Sequence, residues 1–296
     1  MRGNISMASD PARIYGGAFA PLSAARSSPD GPLLAFFLLT YAVTWSFFIA
    51  TGALLGRASV PTGVLQLLIL PGVFAPAMVA IAITARTEGR AGVLALLHCL
   101  LQWRVGPRWF VFAAGYMAAI KLIVALVHRI ATGAWPRFGD TPWYVIVMAI
   151  VISTPFQAGE EIGWRGYALP RLAEHFGFAR ASMLLGLIWA CWHLPLFFIR
   201  GTDTTGQSFP VYLLQITALS VAITWIYAHT NGSLLLTMLM HAAINNTKDI
   251  VPSAVEGATN AFAPSTSLVA WITVGLMWIT AAYFLLRMPR TKTPSA

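Results

Sequence analysis

WYVIVMAIVISTPFQAGEEIGWRGY, Trp143 to Tyr167, is the stretch that decides what kind of protein this is. Its first half carries no charge at all. Its second half carries two acids and a base, Glu160, Glu161 and Arg165. A charged side chain at bilayer depth costs at least about 2.5–3.5 kcal/mol, so such residues are rare unless they are paired or functional. An apolar helix that ends in three ionisable groups therefore reads as a membrane segment built to hold them.

The chain on either side has the same character. Of 296 residues, 57% are hydrophobic and 10% charged, with a mean hydropathy of +0.70. A soluble domain carries roughly 25% charged residues to keep its surface wet, so a soluble fold is excluded and an all-α, polytopic transmembrane bundle is expected. Apolar runs of spanning length fall at about 33–55, 63–84, 108–130, 143–160, 180–199, 211–229, 234–248 and 267–287. Two further stretches, 91–105 and 166–178, are too punctuated by polar residues to span and suit short interfacial helices. Residues 1–30, rich in Ser, Ala, Pro and Gly, read as a disordered tail. The organisation expected is thus a tail (1–30), N-terminal spans (31–142), a polar core region (143–250), and a last span with a C-terminal tail (251–296).

The net charge of +9 does not mark a nucleic-acid binder, because the basic residues are scattered beside apolar runs rather than clustered on a polar surface. That distribution suits membrane topology and contact with anionic lipids. With eight spans, thirteen Lys/Arg fall on the side of the termini and five on the other, which favours both termini inside. Arginine supplies sixteen of the nineteen basic residues, a usage that points to a GC-rich bacterium and so to its inner membrane. The two cysteines, Cys99 and Cys191, sit in apolar stretches and read as small buried side chains.

The remaining polar residues of the spans gather in the second half. Glu161 and Arg165 are four apart and meet on one helix face as an ion pair. Glu160, rotated about 100° away, faces something else. His193 lies in Trp189-Ala-Cys-Trp-His193, and His241 and Asn245 are again four apart. A carboxylate, two histidines and an amide converging on one cavity can attack a carbonyl: the carboxylate takes a proton from water, a histidine assists, and hydrogen-bond donors hold the developing oxyanion. Taken singly, each has a plainer reading as interhelical glue or as a fold-specifying ion pair. Lys121, inside the third span, either snorkels or pairs with an acid.

The order Glu-Glu-x-x-x-Arg, aromatic-x-x-x-His, His-x-x-x-Asn on successive apolar helices resembles the CPBP family of intramembrane proteases, also called Abi, which includes the CAAX prenyl endopeptidase. Glu160 to Leu172 reads like the family's first motif and the turn after it, and Thr230-Asn-Gly-Ser-Leu-Leu is similar to its lead-in to the third. The resemblance covers roughly 145–250. It implies that Glu160 and His193 activate water, that His241 and Asn245 hold the oxyanion, and that Glu161 and Arg165 support the site. Trp189 departs from the pattern, since the second motif usually opens with Phe; an aromatic packing role is expected to survive the change.

The family is often labelled metalloprotease, and Glu160, His193 and His241 would be the zinc ligands if an ion were bound. The HExxH arrangement is absent, and a glutamate base needs no ion, so no cofactor is required, with zinc as the alternative. The implied partners are a peptide or membrane-protein substrate and the membrane lipids. A catalytically silent bacteriocin-immunity or scaffold protein is the rival from another class. The sequence carries no signal of oligomeric state.

Overall fold

The computed structural model describes residues 30–55, 61–255, 260–264 and 267–289. Every regular element among them is helical. The tail expected at 1–30 lies outside the described residues except for Asp30, which opens the first helix.

The elements run as α1 (Asp30–Leu55), α2 (Thr62–Thr87), α3 (Gly89–His98), α4 (Pro107–Thr132), α5 (Trp143–Ser153), α6 (Ala158–Glu161), α7 (Leu169–Trp192), α8 (Phe209–His229), α9 (Leu234–Thr247) and α10 (Leu268–Leu286). Six helical stretches are long and apolar enough to cross a membrane, so the chain is an integral membrane protein. Large apolar side chains on the outer faces, Leu38 and Ile49 on α1, Val111 and Ile130 on α4 and Leu286 on α10, are exposed because lipid, not water, covers them.

The count of eight spans is approximate, and the differences have physical causes. The fourth and fifth expected spans fall within one helical run, Trp143–Phe198, of 56 residues. At 1.5 Å per residue a straight helix of that length would be about 84 Å long, well over twice the hydrocarbon core, so the run must break. It does so in three ways. Pro155 lies in a 3₁₀ turn, Thr154–Gln157; Ile162–Ala168 forms π-helical turns; and Gly177 adopts φ 72°, ψ 159° within α7, a conformation open essentially to glycine alone. The stretch at 166–178, expected as a separate interfacial helix, therefore runs straight into α7 with only that break. The seventh expected span is the 14-residue α9, about 21 Å long and shorter than the bilayer core. The expected helix at 91–105 is present as α3 and the 3₁₀ turn Cys99–Leu101.

α9 packs against α4, α5 and α8, while α7 lies along α8 and α1 along α2. Small residues permit the closest approaches. A Cβ on Gly163 would stand 2.5 Å from the Cβ of Pro76 on α2, and one on Gly186 would stand 2.7 Å from the Thr217 backbone on α8. In lipid, where helices gain no hydrophobic drive to associate, such contacts carry the packing. The turn Thr230–Ser233 sets the entry of α9. Asn231 and Gly232 take φ 53° and 76°, and the Ser233 hydroxyl accepts from the Leu236 amide while donating to the Gln102 carbonyl at 2.6 Å. This N-cap fixes the start of the helix that carries His241 and Asn245.

Lys121 neither snorkels nor closes an ion pair. Its buried ammonium donates to the Val251 carbonyl at 3.0 Å, to Ser253 Oγ at 2.8 Å and to Thr273 Oγ1 at 3.4 Å. It thereby ties the chain leaving α9 to α4 and α10.

Candidate active site

α6 and the π-helical turns after it place Glu160, Glu161 and Arg165 in the middle of the bundle, where their residues are 7%, 0% and 0% exposed. Glu161 and Arg165 meet through Oε1 and Nη1 at 2.8 Å, one turn apart as their spacing requires. The same Glu161 oxygen accepts from His241 Nδ1, also at 2.8 Å. Glu161 thus links its own helix to α9 and fixes the imidazole of His241. With Nδ1 donating, the Nε2 edge of that ring is left for other chemistry.

Glu160 is turned away from this pair, as the 100° offset requires. One of its oxygens, Oε2, accepts from the indole Nε1–H of Trp189 at 2.8 Å. Trp189 also supplies the carbonyl that accepts from His193 Nδ1 at 2.8 Å, one turn further along α7. This bond puts the proton of a neutral His193 on Nδ1 and its lone pair on Nε2. The ring is further held edge-on by Trp192 and Tyr212, with centroids 4.6 and 5.6 Å away.

A cavity of about 240 Å³ opens at the centre of these groups. Glu160, His193, His241 and Asn245 all line it. The structure therefore brings together the four residues singled out as reactive, from three separate stretches of chain. Glu161 and Arg165 stand behind them, fully buried, as a supporting pair. Asn245 is the most exposed of the set, at the open side of the cavity. The plainer reading as interhelical glue fits the His241 bond to Glu161, whereas the His193 bond stays within one helix and both rings line the same cavity.

Several cavity residues carried no sequence signal. Phe48 of α1 and Val73 and Phe74 of α2 form an apolar wall, and Asp203 and Tyr212 approach from the loop before α8 and its first turns. None belongs to a spaced motif. The role of Trp189 exceeds the packing expected of it, since its N–H is a hydrogen-bond donor to Glu160.

The zinc alternative would draw on Glu160, His193 and His241, which line one cavity. Among the described residues no three His, Cys, Asp or Glu side chains gather into a metal-binding group. One oxygen of Glu160 accepts from an indole, and both histidines engage Nδ1, a bond that metal-ligating and metal-free histidines alike make.

Two comparisons bear on this arrangement. Residues 139–247 match the family described as type II CAAX prenyl endopeptidase Rce1-like, a range that contains every polar residue of the site. The CAAX prenyl protease 2 of Methanococcus maripaludis is 25% identical over 230 residues, which covers 73% of this chain and 83% of that protein.

Proposed function

Because this chain belongs to the CPBP/CAAX protease family, we propose that it is an intramembrane endopeptidase that hydrolyses a peptide bond near the membrane interface, using Glu160 and His193 to activate water and His241 and Asn245 to stabilise the oxyanion. The observation that carries the reading is the single cavity lined by those four side chains.

Glu160 holds Oε2 against the Trp189 indole and has Oε1 for water. It removes a proton as the water oxygen bonds to the scissile carbonyl carbon. His193, held through Nδ1, presents the lone pair of Nε2 and orients the same water. The carbonyl oxygen becomes an oxyanion and accepts hydrogen bonds from the Asn245 amide and from His241. His241 can donate through Nε2 only when its ring carries a second proton, because the first is directed at Glu161. The Glu161 carboxylate balances that charge. Counting the oxyanion with Glu161 against protonated His241 and Arg165, two negative charges meet two positive ones, a neutral set suited to low dielectric. Collapse of the tetrahedral adduct breaks the C–N bond, and the proton on Glu160 passes to the leaving amine. No ion takes part, and none is required.

The charge asymmetry supports both termini in the cytoplasm, and the arginine-rich composition supports a bacterial inner membrane. The substrate is a peptide or the end of a membrane protein that reaches the cavity from the bilayer or its edge.

The test uses purified protein in liposomes with a fluorogenic Cys-aliphatic-aliphatic-X peptide, prenylated and unprenylated, and mass spectrometry of the products. Cleavage at one peptide bond is expected, with oxygen from labelled water in the new carboxylate, no stoichiometric zinc and no loss to chelators. Failure to cleave either peptide would overturn the endopeptidase reading. Stoichiometric zinc with chelator-reversible activity would overturn the metal-free account.

A further inference from the structure

Trp189 touches four ionisable members of the site, Glu160, His193, His241 and Arg165. Its Nε1–H donates to Glu160 at 2.8 Å, its carbonyl accepts from His193, and its ring stands edge-on to His241 with centroids 5.2 Å apart. The face of the same ring lies against Arg165, whose guanidinium carbon is 4.2 Å from the centroid, a cation–π arrangement.

That position has a consequence for Glu160. Arg165 is fully buried, and its Nε and Nη2 find no acceptor among the described residues. The Glu160 charge is near enough to act on the guanidinium. A carboxylate free to rotate beside two unpartnered guanidinium N–H groups in low dielectric would close onto them, because charge-assisted hydrogen bonds are the strongest available there. A carboxylate so captured is a poor acceptor for a proton from water. Trp189 contacts both, its face on the one and its N–H on the other.

We infer that Trp189 is a positioning residue for the reaction: its indole N–H holds the Glu160 carboxylate toward the cavity, and its ring keeps that carboxylate apart from Arg165. Phenylalanine, the usual residue at the head of this motif, could supply the ring but not the donor. The inference rests on the proposed role of Glu160 and adds a task that His193, His241 and Asn245 do not perform.

Trp189→Phe keeps a ring and the backbone carbonyl to His193 and removes the N–H. It is expected to lower kcat about tenfold, the low end of what a hydrogen bond to a charged group is worth, and to leave KM unchanged. Benzothienylalanine at position 189 keeps the full bicyclic shape with sulfur in place of N–H, and should lose kcat to the same degree. Wild-type kcat in either variant would overturn the inference, as would an equal rise in KM. A spectroscopic readout stands apart from activity. In indole-¹⁵N-labelled protein, the N–H resonance missing from Trp189→Phe should lie downfield and move in Glu160→Gln. A resonance indifferent to Glu160→Gln would show that no such bond exists. If wild-type protein cleaves neither peptide, the failure falls on the proposed activity, and the indole resonance still decides the hydrogen bond.

Discussion

Replacing Glu161 and Arg165, singly and together, separates what the buried pair does for folding from what it does for catalysis. Both residues are fully buried, and their contact is a single 2.8 Å bond. Glu161 Oε2 and Arg165 Nε and Nη2 find no partner among the described residues. Such a pair recovers little of its desolvation cost, whereas removing one partner strands the other charge at a cost of about 3–5 kcal/mol. Glu161→Leu removes the only carboxylate bonded to Arg165 among the described residues, leaving it the Trp189 face and the Glu160 charge, and also takes the acceptor from His241. It should therefore cost about 3–5 kcal/mol, a shift of roughly 150- to 4,000-fold in the folding equilibrium. Arg165→Met leaves Glu161 its bond from His241 and should cost about 1–3 kcal/mol. The double variant replaces both charges by apolar groups and leaves only His241 Nδ1 without an acceptor, again about 1–3 kcal/mol. The two changes should thus couple by about 3–5 kcal/mol, the cost of stranding Arg165 that the second change removes, measured by denaturant titration in mixed micelles. Peptide cleavage should stay lost in the double variant although its fold is recovered, because His241 is no longer anchored. Additive costs, with coupling below about 0.5 kcal/mol, would refute the description of the pair as one desolvated unit. Recovered cleavage would refute the anchoring role of Glu161.

Two further outcomes follow from the backbone and the packing. Gly177→Ala places a Cβ on a residue at φ 72°, ψ 159° and should destabilise the protein by about 1–3 kcal/mol, read in the same titration; a neutral result would mean that α7 does not need the break. Lys121→Met removes two hydrogen bonds to the α9–α10 connection and one to α10 and should raise limited proteolysis between Lys248 and Ser267 while leaving cuts elsewhere unchanged.

Much of this was legible in the sequence because membrane solvation leaves strong marks. A helix that faces lipid must be apolar along its length, so 143–153 and its counterparts stand out by composition alone. Within such runs a charge is conspicuous, and helix geometry then divides adjacent residues: the offset between Glu160 and Glu161 sends one to the cavity and the other to Arg165 and His241. What was not legible depends on contacts between distant parts of the chain. The bond from Trp189 to Glu160 joins residues 29 apart, and an aromatic residue at a packing position does not announce whether its N–H has a partner. Phe48, Val73 and Phe74 form the cavity wall with the same side chains that any lipid-facing helix would carry. Lys121 reads from sequence as a charge that snorkels or pairs with an acid, yet neutral oxygens from the chain after α9 and from α10 satisfy it. The bounds of α9 were legible, about 234–248 expected against Leu234–Thr247 found, because the Asn231–Gly232 turn separates it from α8.

The central claim is that the Glu160 carboxylate activates the attacking water, and Glu160→Gln tests it most directly. The change preserves size and keeps an oxygen able to accept from Trp189, but removes the group that takes the proton. The account predicts a variant as abundant and as resistant to unfolding as wild type that releases no product from the liposome-embedded peptide. Cleavage by Glu160→Gln at a rate near that of wild type would contradict it.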